Sequence, residues 1–190
     1  IMIRIITDST CSLSKELIEK YHIKIATFTF NLDGDEIEDD GSALSTDEFY
    51  SKIAQTESIG QLNAPTIKKY DKLFRDGVKN GDEDFIVITM SGHNGGSYDA
   101  AIKARDLFFM DNRISGIRIA VIDSRNMSSG YGYLVMKTAR LRDKGLGFDD
   151  LVEFAEKYKT RIKGYVCVSD ALSLANMGFV KTSARRIKRV

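Results

Sequence analysis

Cysteine is nearly missing from this chain: Cys11 and Cys167 are the only two among 190 residues, and they form no spaced pattern. That excludes a disulfide framework and a cysteine zinc cluster, and it fits a reducing compartment. Histidine is equally scarce, with His22 and His93 the whole supply. No apolar run approaches the ~18 residues that a membrane span requires. The chain enters a strand over residues 3–7 without a signal-peptide layout, so a cytoplasmic protein with no transmembrane segment is expected. Charge of one sign is lacking too. A net charge of +1 gives the molecule no general affinity for nucleic acid or acidic membranes. The last ten residues depart from this balance, with Lys181, Arg185, Arg186, Lys188 and Arg189 and no acid. They read as the solvated face of a helix.

What is present suffices for a substantial core. The chain is 43% hydrophobic, and its length allows one domain with part of a second. No linker, internal repeat or low-complexity tract interrupts it. Strand signals fall at residues 3–7, 23–30, 85–90, 117–123 and 165–168, with helical runs between most of them. Ser14 is expected to cap the first helix, with Leu13 stapled to Ile18. Ser45-Thr46-Asp47-Glu48 spells a capping box for the next. A third helix follows Pro65-Thr66 with Ile67, Tyr70, Leu73 and Phe74 on one face. Asp33-Gly34 marks a turn into a short return strand. Further stripes are Tyr98, Ala101, Ala104 and Phe108, then Tyr131, Leu134, Val135, Thr138 and Leu141, then Leu151, Phe154, Ala155 and Tyr158. Strands alternating with helices predict an α/β fold: a mostly parallel sheet with helices on both faces.

The most informative stretch is 85–99. A buried strand runs into Ser91-Gly92-His93-Asn94-Gly95-Gly96-Ser97-Tyr98, and a helix follows. A glycine-rich loop before a helix start lets backbone N–H groups approach an anion closely. Three strands end in small polar residues at the same edge: Thr7-Asp8-Ser9-Thr10, Met90-Ser91-Gly92 and Asp123-Ser124-Arg125. One such set alone reads as helix caps and turn closures. Three sets on the carboxyl edge favour a ligand site, because parallel sheets bind there at a switch in strand order.

Thr7-Asp8-Ser9-Thr10, Glu48-Phe49-Tyr50, the proline-centred loop 63–66, Gly96-Ser97-Tyr98 and Val121-Ile122-Asp123-Ser124-Arg125 resemble the DegV family, in that order and at similar spacings. The resemblance implies two α/β domains with a long-chain fatty acid in a tunnel between them. It also implies, for some members, presentation of that acid to a fatty-acid kinase that phosphorylates the carboxylate. It covers essentially the whole chain and roughly the first two thirds of a family member. Residues 1–162 are thus expected as the N-terminal α/β domain, and 163–190 as the beginning of a truncated second α/β domain.

Two departures affect the head-group site. Family members commonly carry Thr-Ser-Gln-Pro where this chain has Leu62-Asn63-Ala64-Pro65. They carry Ser-Ser-Gly-Leu-Ser-Gly-Thr-Tyr where it has the eight residues 91–98. By that match, two hydroxyl ligands of the carboxylate fall on Leu62 and Gly95. The amides of Gly95, Gly96 and Ser97 remain, with His93, Asn94 and Asn63 as nearby replacements. Asp8, Ser9 and Ser124 complete the expected ligand-binding set.

No residue is expected to be catalytic, and no metal or cofactor is expected beyond the fatty-acid ligand. His22 reads as structural and His93 as a hydrogen-bond donor. Ser97 lacks a Gly-x-Ser-x-Gly elbow. The glycine loop lacks a Gly-Lys-Ser/Thr ending, and it does not follow the first strand as a dinucleotide fingerprint would. Two other readings stay open: a binder of a nucleotide or phosphorylated metabolite at the same loop, and an interaction protein that has lost its ligand and uses its basic tail as a contact surface.

Overall fold

The computed structural model describes residues 2–32, 34–42, 44–55, 62–111, 115–165 and 167. Four strands form one parallel sheet in the order β2-β1-β6-β7: β1 (Met2–Asp8), β2 (Lys24–Ala26), β6 (Asp82–Thr89) and β7 (Arg118–Asp123). The register alternates its side chains cleanly between two cores. Ile3, Ile5, Ile86, Ile88 and Ile122 face α6 (Ser129–Asp143) and α7 (Phe148–Tyr158). Ile6, Phe85, Val87 and Ile119 face α3 (Ile67–Lys79) and α5 (Ser97–Phe109). With both faces covered, β6 carries a continuous apolar run over 85–88, and Arg4 alone interrupts the apolar run of β1 over 2–6. The expected α/β architecture is the one observed.

The helix starts follow their sequence signals. Ser14 Oγ accepts the Leu17 N–H at 3.3 Å ahead of α1 (Lys15–Lys20). At α2 (Thr46–Gln55), Glu48 accepts the Ser45 N–H at 2.8 Å while Ser45 Oγ accepts the Glu48 N–H at 3.3 Å, a reciprocal capping box. Thr66 caps α3 through the Lys69 N–H at 3.4 Å.

Two expectations need correction. The run 23–30 is not one strand. It breaks at Thr27–Phe28 and feeds two sheets: β2 in the parallel sheet, and β3 (Thr29–Leu32) in a three-stranded antiparallel sheet with β4 (Asp35–Glu38) and β5 (Leu62–Asn63). Ser9 Oγ accepts the Phe28 N–H at 3.0 Å, replacing the ladder bond that the crossing strand gives up. The return strand signalled by Gly34 is β4. Secondly, β6 begins at Asp82, three residues before its apolar run. Asp82 and Asp84 are buried there because Arg4 and Arg118 on the flanking strands donate to them at 2.7 Å. Of the strand expected at 165–168, Tyr165 and Cys167 are described and belong to no strand; its other two residues, nearly all of the expected second domain, 163–190, and the basic tail lie outside the described residues.

Candidate functional site

In the sheet order, β1 connects to β2 on one side while β6 and β7 lie on the other, so the switch point falls between β1 and β6. The carboxyl ends of those two strands carry Asp8 and the start of the glycine segment. The three polar strand ends identified in the sequence converge there. Gly92 donates its N–H to Asp123 Oδ1 at 3.0 Å, Arg125 donates to the same oxygen at 2.9 Å, and the Ser91 N–H bonds the Asn126 carbonyl at 2.8 Å.

The glycine segment is not an open loop. It contains a one-turn helix, α4 (Gly92–Gly95), closed by Gly96 before α5 begins at Ser97. Gly96 stands at φ +63°, in the left-handed region that disfavours side chains, and a Cβ there would lie 3.4 Å from the Ala64 methyl. This close approach places the 62–64 segment against the glycine turn. Two motifs about thirty residues apart in sequence therefore abut at the carboxyl edge.

Beneath the turn lies a buried polar cluster centred on Asp8. Its Oδ2 accepts the Met90 N–H at 3.0 Å and the Ser97 hydroxyl at 2.7 Å. Its Oδ1 accepts the Thr10 hydroxyl at 2.8 Å and a short bond from the Tyr131 hydroxyl. Since Ser97 gives its one hydroxyl proton to Asp8, the Tyr70 hydroxyl 2.7 Å away donates to Ser97. Burial, and then the neighbouring Asp8 charge, push both phenols well above the usual tyrosine range.

The expected ligand-binding residues fall into two groups. Asp8, Ser97 and Ser124 are fully buried, and their side-chain oxygens are engaged inside the protein. Ser124 Oγ closes a local turn with the Asn126 N–H at 3.1 Å. Ser9 is half-buried and joins the two sheets through Phe28. Leu62, Asn63, His93 and Gly96 face solvent, and Asn94 and Gly95 belong to α4. Sequence reasoning placed Thr10 and Ala64 in segments that meet here but gave neither a role, and it missed Tyr70 and Tyr131 as parts of this neighbourhood. A signal for these two was present: Tyr70 and Tyr131 sit in apolar stripes, and a buried phenol requires a polar partner.

Shallow cavities of about 490 and 320 Å³ open at the opposite edge of the sheet, near Arg142 and Gly81, away from this chemistry. Among the described residues, no helix is long and apolar enough to cross a membrane.

The family model described as "Uncharacterised protein, DegV family" matches residues 2–190. The chain belongs to the DegV family. A DegV domain-containing protein of Clostridium perfringens is 34% identical over 181 residues, covering 93% of this chain and 60% of that protein. The chain thus spans about three fifths of the curated DegV relatives it matches, a little under the expected two thirds. Among solved structures, a stearic acid-binding protein of Eubacterium ventriosum is similar with a TM-score of 0.73 and 28% identity, over 82% of this chain and 52% of the other. The fatty acid kinase B3 protein of Streptococcus pneumoniae, solved loaded with linoleic acid, has a TM-score of 0.70 and 23% identity over 84% and 55%. At that identity the DegV likeness is one of fold.

Proposed function

We propose that this DegV chain is part of a non-catalytic carrier of a long-chain fatty acid, and that it presents the acid to a fatty-acid kinase. The carboxylate lies against the glycine turn and the 62–64 segment, and the acyl chain leaves in a tunnel between this domain and the remainder of the protein. The observation that carries this reading is the seating of Ala64 against Gly96, which joins the two expected head-group segments at the switch point of the sheet. The ligand of the stearic acid-binding relative supports it.

With Asp8, Ser97 and Ser124 engaged internally, the head group is recognised by backbone N–H groups of 95–97 and by the exposed side chains of Asn63 and His93. Half-exposed Leu62 offers an apolar contact to the first methylenes. Burying about fourteen methylenes at ~0.8 kcal/mol each contributes on the order of 11 kcal/mol before association costs. Affinity therefore resides in the acyl chain. The head-group site satisfies a carboxylate that would otherwise cost several kcal/mol to bury.

The engagement of Ser97 weighs against a nucleotide or phosphorylated metabolite, since that hydroxyl at the helix start is the donor a phosphate would use. The deciding experiment is native mass spectrometry of the full-length protein, with lipid analysis of the extracted ligand. A copurifying long-chain acid is the expected result. A retained nucleotide, or an empty protein whose melting temperature stearate leaves unmoved, refutes the proposal.

A further inference from the structure

We infer that Asp8 is a positioning residue, whose single oxygen Oδ2 fastens both ends of the glycine turn and thereby sets the spacing of the amides at its mouth. The inference rests on the reading of that turn as the head-group site. Oδ2 accepts from Met90 N–H at 3.0 Å, immediately before the turn, and from the Ser97 hydroxyl at 2.7 Å, immediately after it. Between these two anchors lie residues 91–96, three of them glycine, the residue type with most backbone freedom to lose. Hydrogen bonds to a carboxylate are stronger than neutral ones, and Asp8 is fully buried, so water does not compete for it.

The second oxygen performs a different task. Oδ1 holds Thr10 and Tyr131, which belong to the 3-10 turn Ser9–Cys11 and to α6, and neither is part of the glycine turn. One carboxylate thus has a turn-facing arm and a scaffold-facing arm; Thr10 reaches Met90 only at its Sδ, 3.7 Å away, and not at the N–H that Oδ2 holds, so the two can be cut separately. Ser97 also heads the buried stripe of α5, four residues before Ala101, so its side chain points into the core at the clamp.

The test compares Ser97→Ala with Thr10→Val in the full-length protein. Each removes one hydroxyl donor to Asp8, from the turn-facing and scaffold-facing arm respectively. Asp8→Asn cuts both arms and can fail to fold, so the single-arm variants carry the test. The first readout is amide hydrogen exchange over 91–97 without ligand. The second is the Kd for stearate. Ser97→Ala should speed exchange in the turn about tenfold and weaken stearate about tenfold, as expected for one charge-assisted bond. Thr10→Val should lower overall stability yet leave both turn exchange and Kd at wild-type values.

Equal turn exchange in the two variants, or wild-type exchange in Ser97→Ala, overturns the clamp. Weakened stearate binding with wild-type exchange also overturns it, because that pattern belongs to a hydroxyl touching the ligand directly. Faster exchange in Ser97→Ala, with no stearate bound even by the wild type, upholds the clamp and refutes the head-group reading.

Discussion

Gly132→Ala isolates the contact that holds α6 against the first turn after β1. A Cβ at this position would meet the backbone carbonyl oxygen of Cys11 at 2.0 Å, and Leu13 Cδ2 at 3.5 Å. The first neighbour is main chain and cannot rotate away, so α6 must retreat by roughly 1 Å to reach even a tight contact. Two effects oppose each other. Alanine gains about 0.8–1.0 kcal/mol over glycine from helix propensity. Overpacking of a rigid site costs about 1–3 kcal/mol. Against a main-chain oxygen the cost takes the upper end of its range, about 3 kcal/mol, so the net expectation is a loss of about 2 kcal/mol, read as a lower urea midpoint at unchanged slope. The retreat also draws Tyr131, the adjacent residue, away from Asp8, so exchange protection of the β1 end should fall with it. Gly130→Ala is the internal control. It lies in the same helix, but the nearest atom to its new methyl is Asn126 Oδ1 at 3.2 Å, a side-chain atom that has to yield only a few tenths of an ångström. That variant should be as stable as wild type or slightly more so. If Gly132→Ala is neutral or stabilising, propensity has won and the close packing of α6 on the Ser9–Cys11 turn is refuted.

Other outcomes follow from named groups. Burial raises the Asp39 carboxyl above its ordinary value. The folded state therefore holds that proton more tightly than the unfolded state. The stability this contributes is full below the ordinary carboxylate pKa and is lost as pH rises through the raised value. Asp39→Asn should therefore stabilise at pH 7 and have little effect at pH 3 in urea titrations; equal gains at both would contradict the assignment. Burial also pushes the Cys11 thiol up to about 11, whereas Cys167 is exposed. Iodoacetamide at pH 8 should label Cys167 and spare Cys11 until the protein unfolds, as counted by peptide mass spectrometry. Restoring two hydroxyls with Leu62→Thr and Gly95→Ser should tighten stearate binding by about 1–3 kcal/mol, and an unchanged or weaker Kd would count against the head-group site.

The sheet and its two helical layers were legible because hydrophobic periodicity reports burial directly. The caps at Ser14 and Ser45 were legible because each is a local exchange of one side chain with one nearby N–H. The break at Thr27–Phe28 was not, since an apolar β-branched run looks the same whether it serves one sheet or two. The start of β6 was hidden for a related reason. Asp82 and Asp84 read as surface residues until Arg4 and Arg118, distant in sequence, arrive beside them in the sheet. At the site, composition revealed that glycines and hydroxyls gather at one edge, but not which hydroxyls turn inward. Ser97 carried a usable clue: extending the stripe of Ala101, Ala104 and Phe108 one turn backward lands on it.

The inward-facing acids also bear on which anion the proposed head-group site would accept. Asp8 lies directly beneath Ser97, and Asp123 bonds the first amide of α4. A unit charge 4 Å from a carboxylate feels about 4 kcal/mol of repulsion at an effective dielectric near 20, and less with distance. A phosphate monoester brings nearly two charges where a fatty acid brings one, so its repulsion from the same two residues is nearly doubled. Donor hydrogen bonds from the turn do not double in the same way, because the number of N–H groups is fixed by the backbone. A long acyl chain would change the balance again, since its burial grows with length while the head-group repulsion stays constant. A turn flanked by two acids therefore suits a ligand with little charge and much apolar surface, and it penalises small, highly charged anions.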